Sequence, residues 1–549
     1  MKKNILFLFM LLGLTFTGKA QTIGLITHTS DVYEGYTLFA PSSATTTYLV
    51  DNCGRIVNTW QSNYSPGQAV YLLENGNLLR TARVNGAFSG GGIGGRVEIY
   101  SWEGELIWGY TYANADYHQH HDVSYLPNGN VLILAWEKKS GDEAESLGRL
   151  DVGNEIWPEH IVEVQPVFGT EEGNIVWRWH AWDHLIQDVD PSKPNYGVVA
   201  EHPERIDINV ANISSGMPGG GGGDWMHCNS VDYNASLDQI VINSRKFEEF
   251  WIIDHSTTIE EAAGSTGGAY GKGGDVLYRW GNPQNYGRGT EGDKRLFGQH
   301  DVHWIPAGYP DEGKIMLFNN GDGRPSGAYS SVDVVDVPVN TDGSYTVPEL
   351  TPFEPTGLFW TFFTNNSFYS SNISGAHRLA NGNTLSCEGD NGHFREVDYE
   401  GNLVWEYINP VGPGGFPITQ GQFANGNSSF RAYKYGVDYA AFINKDLNPS
   451  EPIEINPLDN SACVALGIND EKIKTNDNRI TVFPNLVQNS LGINIIEEAT
   501  IVVLDVHGKI YLQQPMSRGY SAIDVSQWPA GMYLIKTNKQ TVVKWVKAK

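Results

Sequence analysis

Three histidines, His121, His227 and His300, stand at one place relative to a following turn in three separate stretches of the chain. Gln68 and Ser374 hold the same place in two further stretches. A lone histidine at the start of a strand is usually a packing or surface residue, whereas histidines recurring at one repeat position either cap each repeat or face a common axis. Three imidazoles on their own suit a metal ion. Arg245 shifts that balance, because it ends the return strand VINSR of the hairpin that begins after His227. A guanidinium beside the imidazoles opposes a divalent cation and favours a tetrahedral oxyanion. The expectation is anion binding, with no metal and no cofactor.

The elements that position these residues are themselves repeated. An Asn-Gly turn between two apolar runs occurs in YLLENGNLLRTA from Tyr71, YLPNGNVLILA from Tyr125 and HRLANGNTLSC from His377. Asn-Gly supplies the positive φ of a tight hairpin. HWIPAGYPDEGKIMLF from His303 and VDYNASLDQIVINSR from Val231 read as longer-turned versions. A second motif, glycine followed by an apolar run that ends in aromatics, occurs six times: GRIVNTW, GELIWGY, GNIVWRW, GDVLYRW, GLFWTF and GNLVWEY. Repeated hairpins followed by an outer aromatic strand predict an all-β chain with a six-bladed β-propeller, whose innermost strands line a central channel. The first outer motif precedes the first hairpin, so the strands around Thr46–Trp60 are expected to complete the last blade. The predicted organisation is a propeller over 21–445, a linker over 446–478 rich in Asn, Asp and Pro, and a small β-sandwich over 479–549 with period-two alternation.

Bulk properties narrow the classes. The chain has 549 residues with 62 Gly, 16 Trp and 27 Tyr, and a formal net charge of −26. Such acidity disfavours nucleic acid and anionic membrane surfaces as partners, and a local basic cluster must therefore recruit any anionic substrate. Residues 1–20, with Lys2-Lys3, an apolar stretch from Ile5 to Phe16 and the small-residue end at Ala20, predict a cleavable secretory signal, and no later segment approaches a membrane span. Cys53, Cys228, Cys387 and Cys463 are far apart, which excludes a zinc knuckle and leaves the pairing of one disulfide open. The glycine run Gly219–Gly223 lacks the Lys-Ser/Thr ending of a phosphate loop and reads as a flexible link. His303 and His377 read as ordinary strand residues, and Trp225 and Tyr233 as a ring wall or as core.

The segments HHDVSYLPNGN, DWMHCNSVDY with INSR, GQHDVHW and SGAHRLANGNTL, followed by GNLVWEYINP and FRAYKYG, resemble the bacterial arylsulfotransferase family over about residues 45–440. The resemblance implies sulfuryl transfer from a phenolic sulfate ester to a phenol acceptor, without a nucleotide donor. It makes His300 the nucleophile that carries the sulfuryl group, places His121, His227 and Arg245 on the sulfuryl oxygens, and makes Asn229 and Ser374 their neighbours. Cys228 beside His227 departs from the family pattern. The last 71 residues, with the FPNL opening at Phe483, resemble the C-terminal sorting domain of the type IX secretion system, which implies the secretion machinery as a partner and a surface or secreted location. Two other readings stay open: a non-catalytic surface propeller for binding or adhesion, and an aryl sulfatase that transfers to water.

Overall fold

Strand Val131–Glu137 reads VLILAWE, an apolar run without polar alternation, because both of its faces are covered. Val131, Ile133 and Ala135 pack in one core with Leu79, Val97 and Trp108, while Leu132 and Leu134 pack in another with Ile161, Ile240 and Trp251. Each such strand belongs to a sheet held between two others. The computed structural model describes residues 21–211, 223–364, 367–458, 463, 480–483, 486–487, 490–495, 498–505, 509–537 and 542–547. The predicted signal at 1–20 and nearly all of the glycine run lie outside them.

The chain divides into two units, Met1–Leu466 and Gly467–Lys549. In the first unit, six antiparallel sheets are built on four strands each, from innermost to outermost. The first has Pro66–Leu72, Leu78–Arg83, Gly95–Tyr100 and Leu106–Thr111, and the second Tyr117–Tyr125, Val131–Glu137, Glu159–Val167 and Glu172–His180. The third has Cys228–Asn234, Gln239–Ser244, Glu249–Asp254 and Tyr278–Trp280, and the fourth His300–Trp304, Ile315–Asn319, Ser331–Val335 and Trp360–Phe362. The fifth has Gly375–Arg378, Thr384–Glu388, His393–Val397 and Leu403–Ile408, with Gly24–His28 added at its outer edge. The sixth takes its inner strand Ser429–Gly436 from late in the chain and Gly35–Pro41, Thr46–Asp51 and Ile56–Gln61 from its beginning. The early position of the first outer motif is thereby explained: the two ends of this unit share a sheet.

All six outer motifs fall on the fourth strands of their sheets, and their tryptophans link the sheets into a ring. Indole Nε1–H of Trp60 donates to Ser101 O, Trp108 to Glu172 O, Trp179 to Gly274 O, Trp280 to Pro355 O, Trp360 to Tyr399 O and Trp405 to Asn52 O. Glu172 begins the fourth strand of the next sheet, the other five acceptors lie in the connection between the third and fourth strands of the next sheet, and the last bond returns to the first donor's sheet. A buried indole N–H needs an acceptor, and these bonds satisfy the five tryptophans of the ring that are buried, all but Trp360. Along the inner strands, side chains of one sheet receive backbone N–H groups of the next: Asp122 from Val231, Ser230 from Val302 and Asp301 from Ala376.

The Asn-Gly hairpins form with one refinement. Gly76, Gly129 and Gly382 have φ of 87°, 87° and 95°, whereas the preceding asparagines do not take positive φ. Instead, Oδ1 of Asn75, Asn128 and Asn381 accepts the N–H two residues on. This is a turn with a single left-handed glycine rather than a two-residue turn with two positive φ values.

Residues at the start of the predicted linker lie along the first unit: Ser450 N–H donates to Ile56 O, and Gln420 N–H to Ile455 O. Cys463 is disulfide-bonded to Cys53, which settles the open pairing, and Cys228 and Cys387 are buried free thiols. The second unit has a three-stranded sheet of Ile480–Phe483, Ser490–Ile495 and Gly519–Asp524, and a five-stranded sheet around Ala499–Asp505, Gly531–Thr537 and Val542–Lys547. Leu491, Ile493 and Ile523 of one sheet share a core with Ile501, Val503 and Ile535 of the other, which is a sandwich. Among the described residues no helix is long and apolar enough to cross a membrane.

Candidate active site

His227, His300 and Ser374 stand at or just before the start of their inner strands, Gln68 and His121 lie within theirs, and most of the five sit in unusual backbone. His121, His227, Gln68 and Ser374 have φ of 49°, 51°, 119° and 91°; on the fourth sheet Asp301, next to His300, takes the positive value of 60°. Strand pairing slips at Pro66/Val70, Cys228/Ser230 and His300/His303. Bulges of this kind re-aim a side chain, and left-handed non-glycine residues cost about 1 kcal/mol or more each, a strain found where function over-determines geometry.

The predicted residues come together at one end of the inner strands. The His121 and His227 rings meet edge to face with centroids 4.8 Å apart. Arg245 follows the return strand of the same hairpin as His227, and its backbone N–H donates to His227 O at 3.2 Å. Its guanidinium pairs with the partly exposed Asp322 at 3.0 Å. His300 lies close enough to Arg245 and His227 for both to lower its pKa. All four are buried, the histidines to within 3 % of full burial.

Hydrogen bonds set the ring orientations. Nδ1 of His300 is 2.7 Å from Asn320 Oδ1 and 3.1 Å from Gly298 O. Both partners only accept, so Nδ1 carries the proton and Nε2 holds a lone pair. Asn320 is itself fixed, since Nδ2 donates to Ser370 O and Ile373 O. His227 Nδ1–H donates to Asp224 Oδ2 at 2.6 Å. Behind His121, the His120 and His121 Nδ1 atoms lie 2.9 Å apart, and His120 Nε2 faces Glu159 at 4.0 Å.

Burial holds the pKa of His300 well below 6.5, helped by Arg245, and does the same to His121, helped by His227 and His120. Both imidazoles are thus neutral at neutral pH. Burial would raise Asp224, but the charge and hydrogen bond of His227 bring it down to about 2. Glu159 goes the other way, raised by burial and by Asp224.

Asn229 and Ser374 lie in the same layer with their polar atoms engaged. Asn229 Oδ1 accepts from Asn243 and its Nδ2 donates to Gln299 O, while Ser374 Oγ donates to Asn372 O and accepts from Gly389 N–H. Trp225 is core, donating to Val210 O, and Tyr233 donates to Asp238 at the rim of its hairpin. His303 and His377 are strand residues farther along the inner strands, with His377 stacked on Tyr433.

Several contributors escaped the sequence reading. Arg431, on the inner strand of the sixth sheet, pairs with Asp122 at 2.9 Å and Asp301 at 3.0 Å and donates to Asn229 O. It therefore ties together the residues that follow His121 and His300. It also lines a cavity of about 690 Å³ at the far end of the inner strands, with Tyr71, Trp304 and Tyr433. The second omission is the loop 84–94, whose glycines lie on the histidines. His121 N–H donates to Gly92 O, and a Cβ on Gly92 would strike the His121 ring. The FRAYKYG motif and the run SGGGIGG were visible signals, but neither marked Arg431 or the glycine loop as part of the site. Among the described residues, no group of three or more His, Cys, Asp or Glu is placed to hold a metal ion.

A family model for arylsulfotransferases matches residues 23–410, more than half of the chain and every site residue above except Arg431. The chain belongs to the arylsulfotransferase family. A second family model, for a secretion-system C-terminal sorting domain, matches residues 481–548, so this arylsulfotransferase is exported to the cell surface or secreted. No curated protein sequence matches it significantly. Among solved structures, this arylsulfotransferase is loosely similar to a putative 6-phosphogluconolactonase from Bacteroides fragilis, with 12% identity, TM-score 0.33, and 77% and 99% of the two chains covered. It is also loosely similar to a β-propeller domain from Myceliophteria thermophila, with 10% identity, TM-score 0.35, and 77% and 95% covered. Streptogramin B lyase aligns with 11% identity, TM-score 0.31, and 76% and 94% covered. Likenesses of this size carry no argument about what the site does.

Proposed function

We propose that this arylsulfotransferase moves a sulfuryl group from a phenolic sulfate ester to a phenol in two steps, through a sulfohistidine on His300 and without a nucleotide donor. The observation that carries the reading is the Nδ1–H bond from His300 to Asn320 and Gly298, which leaves a neutral Nε2 beside Arg245 and the His121–His227 pair. In the first step the Nε2 lone pair forms a bond to sulfur as the ester S–O bond breaks and a phenolate leaves. In the second, the oxygen of an acceptor phenol attacks sulfur, the N–S bond breaks, and His300 returns to its neutral form. His121, His227 and Arg245 hold the sulfuryl oxygens, and Asn229 and Ser374 shape the wall beside them. Donors aimed at such charge are typically worth about 3 to 4 kcal/mol each. His227, oriented by Asp224, is placed to protonate the leaving phenolate and then to accept the acceptor's proton. A phenolate leaves readily enough that the scheme needs no metal.

The test uses 4-nitrophenyl sulfate with and without a phenol, on the wild type and on His300→Asn. Expected are acceptor-dependent nitrophenol release by the wild type, a wild-type mass gain of one sulfuryl group after donor alone, and loss of both in the variant. Release that survives the substitution removes His300 from the chemistry, and release that ignores phenol concentration makes the protein a sulfatase.

A further inference from the structure

Arg245 has a counterpart on the first sheet. Hairpin strands Leu78–Arg83 and Gln239–Ser244 occupy the same second position in their sheets, and the arginine at the end of each is bonded in the same way. Arg245 N–H donates to His227 O, and Arg83 N–H donates to Ser65 O, just before the inner strand that carries Gln68. Gln68 in turn holds the repeat position of His121 and His227, with φ of 119°. Left-handed backbone at a glutamine is strained and marks a site whose geometry is imposed from outside the residue. The two guanidiniums differ in pairing and in exposure. Arg245 is paired with Asp322, whereas Arg83 has no ion-pair partner among the described residues and is exposed, in a chain with a formal net charge of −26.

Arg83 and Gln68 line a cavity of about 430 Å³ together with Ser42, Asn85, Ser89 and Phe88. Gly91 and Gly92 form its wall toward the histidines: they line the cavity, a Cβ on Gly91 would stand 3.3 Å from His227 Cε1, and one on Gly92 would meet the His121 ring. The cavity thus offers a free guanidinium, two side-chain amides, two hydroxyls and one ring, one loop away from the predicted sulfuryl site. That set fits an aryl group with its own anionic substituent, since a carboxylate or sulfonate takes charge-assisted bonds from arginine while the ring rests on Phe88.

We infer that the cavity at Arg83 and Gln68 is a second anion subsite that selects phenols bearing a carboxylate or sulfonate as substrates. This rests on the transfer reading above for its catalytic consequence, but the subsite itself is a binding site.

The experiment compares three acceptors of similar length, 3-(4-hydroxyphenyl)propanoate, 4-ethylphenol and tyramine, with 4-nitrophenyl sulfate as donor, on the wild type and on Arg83→Met. The wild type should favour the carboxylate over 4-ethylphenol by about tenfold in kcat/KM, the size of one charge-assisted hydrogen bond. Arg83→Met should erase that preference, leave 4-ethylphenol unchanged and improve tyramine. Equal loss on all three acceptors, or a preference that survives in the variant, overturns the inference. Calorimetric titration of 3-(4-hydroxyphenyl)propanoate into both proteins separates this result from a failure of the transfer reading. If no phenol is sulfated but the carboxylate binds the wild type and not the variant, the subsite stands and the transfer reading falls. If both proteins bind it equally, the subsite falls.

Discussion

A neutral imidazole is a nucleophile only while its attacking nitrogen stays unprotonated, and in His300 two features act together to that end. Asn320 and Gly298 take the Nδ1 proton, and burial with the nearby Arg245 charge holds the pKa well below 6.5. The lowered value means that protonation, and with it loss of the lone pair, begins only at pH well under 6.5. With 4-nitrophenyl sulfate, whose own charge does not change, kcat/KM is therefore expected to stay level as pH falls from mildly alkaline through 6.5 and to bend downward only below that. A pH–rate profile bending at 6.5 or above would mean that His300 is solvated as an ordinary histidine. The histidines were legible in the sequence because a repeat put three of them at one position, and Arg245 because a hairpin returns its end to its start. Asp224, Asn320 and Arg431 were not, because each acts through hydrogen bonds or ion pairs made from a place that no repeat predicts.

At the scale of elements, the approach of the loop 84–94 to the inner strands decides how tightly the histidines are enclosed. Gly92 has φ of 75°, accepts from His121 N–H, and leaves no room for a Cβ against the His121 ring. Gly92→Ala imposes a left-handed alanine, at a cost of about 1 kcal/mol, and pushes either the loop or the imidazole aside. Because a misplacement of about 1 Å can cost about a hundredfold in rate, kcat/KM should fall by roughly ten- to a hundredfold while the thermal midpoint moves little. Steady-state kinetics beside a thermal melt check this, and an unchanged kcat/KM would show that the loop does not constrain His121. The hairpins were legible from Asn-Gly and the outer strands from their aromatic endings. The turn chemistry was read only in part: the asparagine serves through its side chain on Asn77, Asn130 or Asn383 N–H, and the glycine alone is left-handed.

Over the whole molecule, the ring has one seam that the backbone does not cross. The sixth sheet joins Ser429–Gly436 to Gly35–Pro41 by hydrogen bonds alone, with Tyr36 paired to Tyr435 and Leu38 to Tyr433. Trp405 bonding to Asn52 O closes the tryptophan ring between the fifth and sixth sheets, again without a covalent link. The disulfide supplies one. Cys53 lies between the third and fourth strands of the sixth sheet, and Cys463 follows the late inner strand, so the bond spans the seam with a sequence separation of 410. A cross-link over so long a loop constrains the unfolded chain, by about 2 to 4 kcal/mol for a typical native disulfide, and an exported protein meets the oxidising conditions that keep it formed. Cys463→Ser in the full chain should therefore lower the denaturation midpoint without changing kcat/KM, because Cys53 and Cys463 belong to the core between the fifth and sixth sheets, a cluster that includes none of His121, His227, Arg245 and His300. Reductant should lower the midpoint of the wild type to that of the variant and leave the variant unmoved. A wild type indifferent to reductant would mean that strand pairing and the tryptophan bonds hold the seam unaided.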